Sequence, residues 1–140
     1  MTILSNSYPA TTRAMTTHAP YAYALALGEK PQEFRYRATQ YRGWLFFHCG
    51  LSTASDDAFD YLDMTPQDAK RGCIIGAGYL NDCTQSGNCF AYEFINPVVF
   101  ENPLKIKGKQ QILWLPADSN EVKIFKSAWE ILQRMIHTSK

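Results

Sequence analysis

The sequence predicts an α+β domain, a small, mostly antiparallel β-barrel with short helices and a C-terminal amphipathic helix. Three observations lead to this class. Five or six short segments have the alternating or β-branched pattern of strands. These segments outnumber the predicted helices and do not alternate regularly with them, which disfavours a doubly wound parallel sheet. Near the end of the chain, apolar residues recur at helical spacing and form one stripe.

The first predicted elements are a strand, a helix and a second strand. Arg13–Thr17 is predicted to be a strand. Tyr21–Leu27 follows Pro20 and precedes Gly28, a pattern typical of a short helix that ends in a left-handed glycine. Glu33–Arg37 alternates charged and aromatic residues, so we expect a strand with the charges on one face and the rings on the other.

The middle of the chain predicts a buried strand, two short helical segments and a central strand. Trp44–His48 is an apolar run closed by a histidine, which predicts a buried strand. Ser55 precedes an acidic helix that runs to Leu62, and Thr65 with Asp68 forms a helix-start signature. Cys73–Leu80 contains two glycines, which predicts a central strand with a bulge or a close approach at Gly76 or Gly78.

The last third predicts two more strands and the final helix. We expect a loop at Asp82–Asn88, a strand at Cys89–Phe94 ended by Asn96-Pro97, a turn at Lys107–Lys109 and a strand at Gln111–Leu115. Asp118 with Glu121 is a capping signature for the last helix. Its apolar stripe consists of Val122, Phe125, Ala128, Trp129, Leu132, Met135 and Ile136.

Length and composition indicate one globular domain. The chain has 140 residues, 46% of them hydrophobic, and a net charge of +1. These values disfavour a disordered chain and a globally basic nucleic-acid binder, so any such binding needs a local patch. Residues 1–19 lack the apolar centre of a signal peptide, so we expect a cytoplasmic protein without a membrane partner. We expect a loose segment over 1–11, the barrel over 12–116 and the helix over 117–140 of the same domain.

The cysteines and aspartates do not predict a metal site. Cys49, Cys73, Cys83 and Cys89 lack C-x-x-C spacing, and in a cytoplasmic chain we expect reduced thiols, with Cys83–Cys89 the pair best placed for a disulfide. The aspartates between 56 and 68 leave Mg²⁺ as an alternative, but their spacing fits helix N-terminal turns better. We therefore expect no metal and no cofactor.

Basic residues cluster in two places. The segment between residues 28 and 48 contains four cationic residues (Lys30, Arg35, Arg37, Arg42) and only two acidic ones. A second basic group consists of Lys105, Lys107 and Lys109. Charged heads on one strand face lie about 7 Å apart. Arginine forks suit phosphate, and a glutamate between cations can accept from a base or a ribose hydroxyl. The alternative for this face is a solvated surface with a weak ion pair.

An ordered set of motifs over Arg13–Leu115 resembles ASCH domains, which belong to the PUA-like superfamily. The matching pieces are Ala14–Thr17, Pro20–Ala22, Gly28-x-Lys30-x-x-Glu33-x-Arg35, Tyr41–Gly43, Ile74–Gly76, Asp82–Cys83, Ala91–Tyr92, Asn96–Pro97, Lys107–Lys109 and Trp114. The resemblance implies a small β-barrel whose cleft, lined by the Gly-x-Lys-x-x-Glu-x-Arg motif, binds RNA or nucleotides. One branch of the family hydrolyses an acylated cytidine with a lysine and a threonine three residues later. Here Lys30 is present, Glu33 occupies the threonine position, and Pro31 and Tyr36-Arg37 also depart from the usual pattern.

The predicted function is therefore RNA or nucleotide binding in a cationic cleft. The candidate ligand-binding residues are Lys30, Glu33, Arg35, Arg37, Tyr41, Arg42, His48, Lys107 and Lys109. One alternative is a hydrolase of a modified nucleoside or RNA that uses Lys30 and Glu33 with water as the nucleophile. A His48–Cys49 dyad is disfavoured because neighbours on a strand point to opposite faces. Another alternative is a protein-interaction module or homodimer that uses Trp129 and Met135 of the last helix.

Overall fold

A computed structural model describes residues 7–138. Residues 1–6 of the predicted loose segment over 1–11 therefore lie outside the described residues. So do residues 139–140 of the predicted helical segment over 117–140. The strands are β1 (Arg13–Thr17), β2 (Gln32–Arg35), β3 (Gly43–Cys49), β4 (Cys73–Ser86) and β5 (Cys89–Lys105). The α-helices are α1 (Tyr21–Leu27) and α2 (Ser119–Thr138), and two 3₁₀ helices cover Asp56–Tyr61 and Pro66–Asp68.

The strands form one mixed sheet in the order β1-β3-β4-β5-β2. The β1–β3 pair is parallel and the other three pairs are antiparallel. The α+β class and the mostly antiparallel pairing are confirmed, but the predicted closed barrel is wrong. Within residues 7–138, β2 pairs only with β5 and β1 pairs only with β3, so the two outer strands are not joined and the sheet is open.

The segment predicted to be a strand at Gln111–Leu115 adds no strand to the sheet. It makes one antiparallel bridge, between Trp114 and Ala14. The Trp114 ring packs edge-on against His48 and Phe125, and its indole nitrogen donates to Thr16. These side-chain contacts hold the segment against β1 at a single residue.

The central hairpin is longer than the sequence indicates. The predicted loop at Asp82–Asn88 is wrong, because β4 continues to Ser86 and the chain reverses at Gly87, which has a φ of 60°. The predicted stop at Asn96-Pro97 is also wrong, since β5 runs through it to Lys105. Asn96 has a φ of 52°, and the β4–β5 register shifts at three places, so bulges absorb the proline.

Two apolar clusters cover the two faces of the sheet. On one face, α1 packs against Leu45, Phe47 and Tyr92. On the other face, α2 packs its stripe against Phe46 and Phe100. The predicted burial of this strand is confirmed. Because β3 sends alternate side chains into both clusters, its apolar run is explained by burial on both faces of the sheet.

The helix boundaries follow local signals in the sequence. Gly28 ends α1 in the left-handed conformation with a φ of 80°, as predicted, and its N–H donates to the Leu25 carbonyl at 3.2 Å. The N–H of Glu121 donates to Asp118 Oδ1 at 2.8 Å, which confirms the capping signature of α2. The acidic segment after Ser55 is a 3₁₀ helix and not an α-helix. None of the helices between residues 7 and 138 is long and apolar enough to span a membrane.

Gly76 provides the predicted close approach in the central strand. A Cβ at this position would lie 2.2 Å from the carbonyl oxygen of Val98 and 3.0 Å from the Cβ of Ala26. The register between β4 and β5 also shifts beside it. A side chain at Gly76 would therefore separate β5 and α1 from the centre of the sheet.

Candidate functional site

Glu33 is the centre of a three-residue charge cluster formed by β2 and the residues just before it. Its Oε1 accepts from Lys30 Nζ at 2.6 Å, and its Oε2 accepts from Arg35 Nε at 2.9 Å. The Glu33 side chain is 9% exposed, whereas those of Lys30 and Arg35 are 27% and 21% exposed. The carboxylate therefore lies beneath two cations that both reach the surface, and the cluster carries a net charge of +1.

The alternation of β2 places these charges on the inward face of the strand. Glu33 pairs in register with Tyr92, which is buried in the α1-side cluster. Phe34 points to the other side and is 49% exposed, and Tyr36 just beyond the strand is 82% exposed. The separation of charges from rings is as predicted, but the charges lie inside and the rings outside, the reverse of an ordinary half-buried strand.

Two tyrosines flank the cluster. Lys30 Nζ lies 5.1 Å from the centre of the Tyr21 ring, within the range of a cation–π contact. Partial burial raises the pKa of the Tyr61 hydroxyl, and the nearby charges of Tyr21 and Glu33 raise it further. Tyr61 is thus within electrostatic reach of Glu33, and its residue is 50% exposed. The cluster combines cations, a carboxylate and two rings from α1 and the first 3₁₀ helix.

Arg35 connects this cluster to the opposite edge of the sheet. Its Nη2 donates to the Thr16 carbonyl of β1 at 2.9 Å. The Thr16 hydroxyl accepts from Trp114 Nε1 at 3.0 Å and lies 3.1 Å from His48 Nδ1. His48 Nε2 lies 2.6 Å from the Ile106 carbonyl oxygen. Because a carbonyl oxygen can only accept, Nε2 carries the proton of the neutral imidazole and donates to it. Nδ1 is then an acceptor, so the Thr16 hydroxyl donates to Nδ1.

His48 therefore has an internal role. It is 2% exposed, both ring nitrogens are bonded within the protein, and burial lowers the pKa of its imidazole. A Cβ at Gly108 would lie 2.8 Å from His48 Cε1 and 2.9 Å from the Thr16 hydroxyl. The segment Lys107–Lys109, predicted to be a turn, is irregular chain that follows β5, and Gly108 packs directly on this network, where only glycine fits.

The two remaining lysines of the candidate set lie on either side of Gly108. Lys109 Nζ donates to Glu121 Oε2 at 2.8 Å and lies 5.8 Å from the centre of the Trp114 ring. Lys107 is exposed. The structure therefore brings Lys107 and Lys109 next to the Thr16 network, which Arg35 touches from the other side.

Arg37, Tyr41 and Arg42 have contacts elsewhere. Arg37 is exposed, and its carbonyl accepts from Tyr92. Tyr41 donates to the Trp44 carbonyl at 2.6 Å, and burial raises the pKa of its hydroxyl to about 12. Arg42 donates back to the carbonyls of Thr39 and Tyr41 at 2.9 Å. No contact joins these three to Lys30, Glu33 or Arg35 within residues 7–138.

The cysteines and aspartates serve the fold. All four thiols are free, and burial raises the pKa of Cys49 to about 11. Asp56 pairs with Arg71 at 2.9 Å, and Asp68 accepts from the Thr65 N–H at 2.8 Å. Across the described part of the chain, no three histidine, cysteine or acidic side chains are grouped so as to hold a metal ion.

Sequence reasoning missed Thr16, Tyr21, Tyr61 and Trp114 as members of the site. Thr16 is separated from Arg35 by 19 residues and from Trp114 by 98 residues, so no local pattern could connect them. Tyr21 offered a partial signal, since it opens the helix that leads into the Gly28-x-Lys30 motif. Tyr61 offered no such signal, because its segment shows only the pattern of an acidic helix.

The arrangement suits the binding of an anion that carries a ring. The Lys30 ammonium uses one of its three donors on Glu33, and Arg35 uses Nε and Nη2, so N–H donors are left for an incoming phosphate. Both oxygens of Glu33 are bonded to cations, so this carboxylate orients the Lys30 ammonium and the Arg35 guanidinium.

Comparison with known proteins identifies the fold. No protein-family model and no curated protein matches the chain. Among solved structures, the ASCH protein of Zymomonas mobilis superposes with a TM-score of 0.57 at 12% identity, over 85% of this chain and 96% of that one. Two single-residue variants of the same Zymomonas mobilis protein superpose with the same TM-score and the same identity. These two alignments cover 83% and 84% of this chain, and each covers 96% of the variant. The chain therefore has the ASCH fold, as its ordered motifs predict.

Proposed function

We propose that this protein binds single-stranded RNA through the cluster of Lys30, Glu33 and Arg35. The observation that carries the proposal is the pair of partly exposed cations held over one buried carboxylate. A phosphate that approaches the cluster meets the Lys30 ammonium and the Arg35 guanidinium together. Because Glu33 and the Thr16 carbonyl already orient Arg35, little side-chain entropy is lost on binding.

The flanking rings support a nucleic acid over a simple inorganic anion. Tyr21 lies beside the Lys30 ammonium, and Tyr61 lies within electrostatic reach of Glu33, so we assign both rings to stacking with an unpaired base. Bases are unpaired in single-stranded RNA, whereas a duplex hides them in its stack. The exposed Lys107 extends the positive charge beyond the Thr16 network. The similarity to ASCH structures adds support from the fold alone.

The test measures the affinity of a short fluorescein-labelled polyuridine by anisotropy at several salt concentrations. Lys30→Ala removes one phosphate contact but leaves the Arg35–Thr16 contact in place. We expect roughly tenfold weaker binding, and a slope of log affinity against log salt that is smaller by about 0.7. Lys30→Arg is expected to restore most of the affinity.

The matched control is Lys126→Ala, an exposed lysine on α2 at the other face of the sheet. It removes the same charge and should leave both affinity and slope unchanged. Equal effects of Lys30→Ala and Lys126→Ala would show that binding follows net charge alone, and the proposal would fail. Gel analysis of the RNA after each titration also tests hydrolysis, since a binding protein leaves the oligonucleotide intact.

The alternative role for α2 lacks structural support. Its apolar stripe is already packed against the sheet, with Phe125, Ala128, Trp129 and Leu132 buried. A partner that used Trp129 would have to displace the helix from its own domain. No second function is therefore proposed from this helix.

A further inference from the structure

A cavity of about 300 Å³ lies beside the outer edge of β1. Its walls include two cations, Arg13 at the start of β1 and Lys109 from the segment that follows β5. Trp114, which bridges to Ala14 of the same strand, forms another wall. The volume is within the range of ligand sites, and the cavity shares no residue with the charge cluster centred on Glu33.

Arg13 is a partly buried cation without a carboxylate partner. None of the ion pairs among residues 7–138 includes it. Positions 1–6 and 139–140 of the sequence contain no aspartate or glutamate. The guanidinium carbon lies 5.6 Å from the centre of the Tyr41 ring, and Nε is enclosed without a hydrogen-bond partner among the described residues. Because charges removed from water are normally paired, Arg13 lacks the anion that would balance it.

Lys109 adds a second positive charge to the same walls. Its Nζ donates to Glu121 at 2.8 Å, and the other N–H donors of the ammonium remain for a ligand. The Lys109 side chain is 25% exposed, so solvent reaches it. The nearby Asp118 caps α2, where its carboxylate accepts from the Glu121 N–H. The described residues that line the cavity include two cations and no acid, which favours an anionic ligand.

Thr16 connects this cavity to the charge cluster centred on Glu33. Arg35 of the cluster donates to the Thr16 carbonyl at 2.9 Å, and Trp114 of the cavity wall donates to the Thr16 hydroxyl at 3.0 Å. Arg13 precedes Thr16 on β1 by about 10 Å along the strand. One polyanion that crosses the cluster is therefore expected to reach the cavity as well.

We propose that Arg13 and Lys109 bind a phosphate group in this cavity. The terminal nitrogens of the Arg13 guanidinium supply N–H donors, and the Lys109 ammonium supplies a point charge. The choice of phosphate among anions rests on the proposed function, but the site itself does not need Lys30 or Glu33. The phosphate can come from an RNA strand or from a free phosphate compound.

The first experiment titrates inorganic phosphate into the uniformly ¹⁵N-labelled full chain at constant ionic strength and follows the backbone amide signals by NMR. The signals of Gln111 and Leu115, two exposed residues of the cavity wall, should move and reach saturation. Arg13→Gln should weaken phosphate binding about tenfold, because a charge-assisted contact is lost. Lys126→Gln removes an exposed positive charge on α2 and should leave the titration unchanged.

An added negative charge tests the site without touching the core. Gln111→Glu places a carboxylate in the cavity wall and should abolish the movement of the Leu115 signal. Gln85→Glu makes the same change at an exposed position of the β4–β5 hairpin and should leave that movement intact. A Leu115 signal that phosphate does not move, or equal phosphate binding by Gln111→Glu and Gln85→Glu, would overturn the proposal.

Polyuridine separates the two sources of phosphate and the two proposals. If polyuridine moves the Leu115 signal at much lower concentration than phosphate, the phosphate comes from a strand; if only phosphate moves it, the site takes a free phosphate compound. If neither moves it while Lys30→Ala still weakens polyuridine binding, the cavity proposal fails and the RNA-binding proposal stands. A phosphate shift that Arg13→Gln weakens, with no effect of Lys30→Ala on polyuridine, gives the converse result.

Discussion

Arg35 and Thr16 join the two free edges of the sheet, with the guanidinium Nη2 of Arg35 2.9 Å from the Thr16 carbonyl oxygen. β2 and β1 are the outer strands of the open sheet, and no backbone ladder connects them. The same guanidinium also holds Glu33 through Nε. Arg35 thus maintains the shape of the fold besides belonging to the cluster proposed to bind RNA, so a change at Arg35 is expected to lower stability as well as affinity.

Arg35→Ala is expected to lower the free energy of unfolding by about 2 kcal/mol, because it removes two charge-assisted bonds and leaves Glu33 with one partner. Urea denaturation monitored by tryptophan fluorescence measures this loss. Arg42→Ala is the control, since Arg42 is more exposed and lies 3.8 Å from Asp82, and its loss should stay below about 0.5 kcal/mol. Equal losses would contradict a bridging role for Arg35.

Glu33→Gln is expected to destabilise the protein by about 1–3 kcal/mol, because it leaves Lys30 and Arg35 close together without the carboxylate between them. The comparison is Glu101→Gln, an exposed glutamate on β5 without an ion pair within the described residues. Thermal unfolding of both variants at low and high salt measures the effect. If high salt does not reduce the loss of stability in the Glu33→Gln variant, repulsion between Lys30 and Arg35 is not the cause of that loss.

Stability should fall between pH 7.5 and 5.5 partly because of His48. Burial lowers the pKa of the folded imidazole, so below about pH 6.5 the unfolded chain binds a proton that the folded chain excludes. The contribution of His48 is therefore complete above pH 6.5 and decreases as the pH falls. Urea denaturation at both pH values should show a smaller decrease for His48→Gln. An unchanged decrease would assign the effect to other groups.

Gly108→Ala is expected to cost about 1–3 kcal/mol, because its Cβ would lie under 3.0 Å from both His48 and the Thr16 hydroxyl. Gly50→Ala is a matched control beside the same threonine, where the nearest atom would be Thr16 Cγ2 at 3.3 Å. Its cost should be clearly smaller in the same denaturation assay. The reverse order would show that the Lys107–Lys109 segment does not pack tightly on the network of Thr16 and His48.

All four thiols should react with a thiol reagent after denaturation without reductant, because each cysteine is free. In the native protein Cys49 should be protected, since it is fully buried and burial raises its pKa to about 11. Cys49→Ala should lower the denatured count by one and leave the native count unchanged. Only two reactive thiols after denaturation would reveal a disulfide.

The sequence by itself determined the elements that depend on near neighbours in the chain. Pro20 and Gly28 bound α1, Asp118 and Glu121 start α2, and the alternation over Glu33–Arg35 separates charges from rings. Each of these signals acts over a few residues, through a cap, a backbone conformation or the period of a strand. The ordered motifs likewise indicated the ASCH fold.

Only the tertiary structure decided which way those charges face and what they touch. The exposed rings of Phe34 and Tyr36 contradict the usual rule that the apolar face of a strand is buried. The inward face is stabilised by partners distant in sequence, the Thr16 carbonyl above all. The position of the Gln111–Leu115 segment depended on distant contacts as well, because Trp114 bridges to Ala14 and donates to Thr16. Contacts across such separations form only when the whole chain packs, so they leave no periodic trace in the sequence.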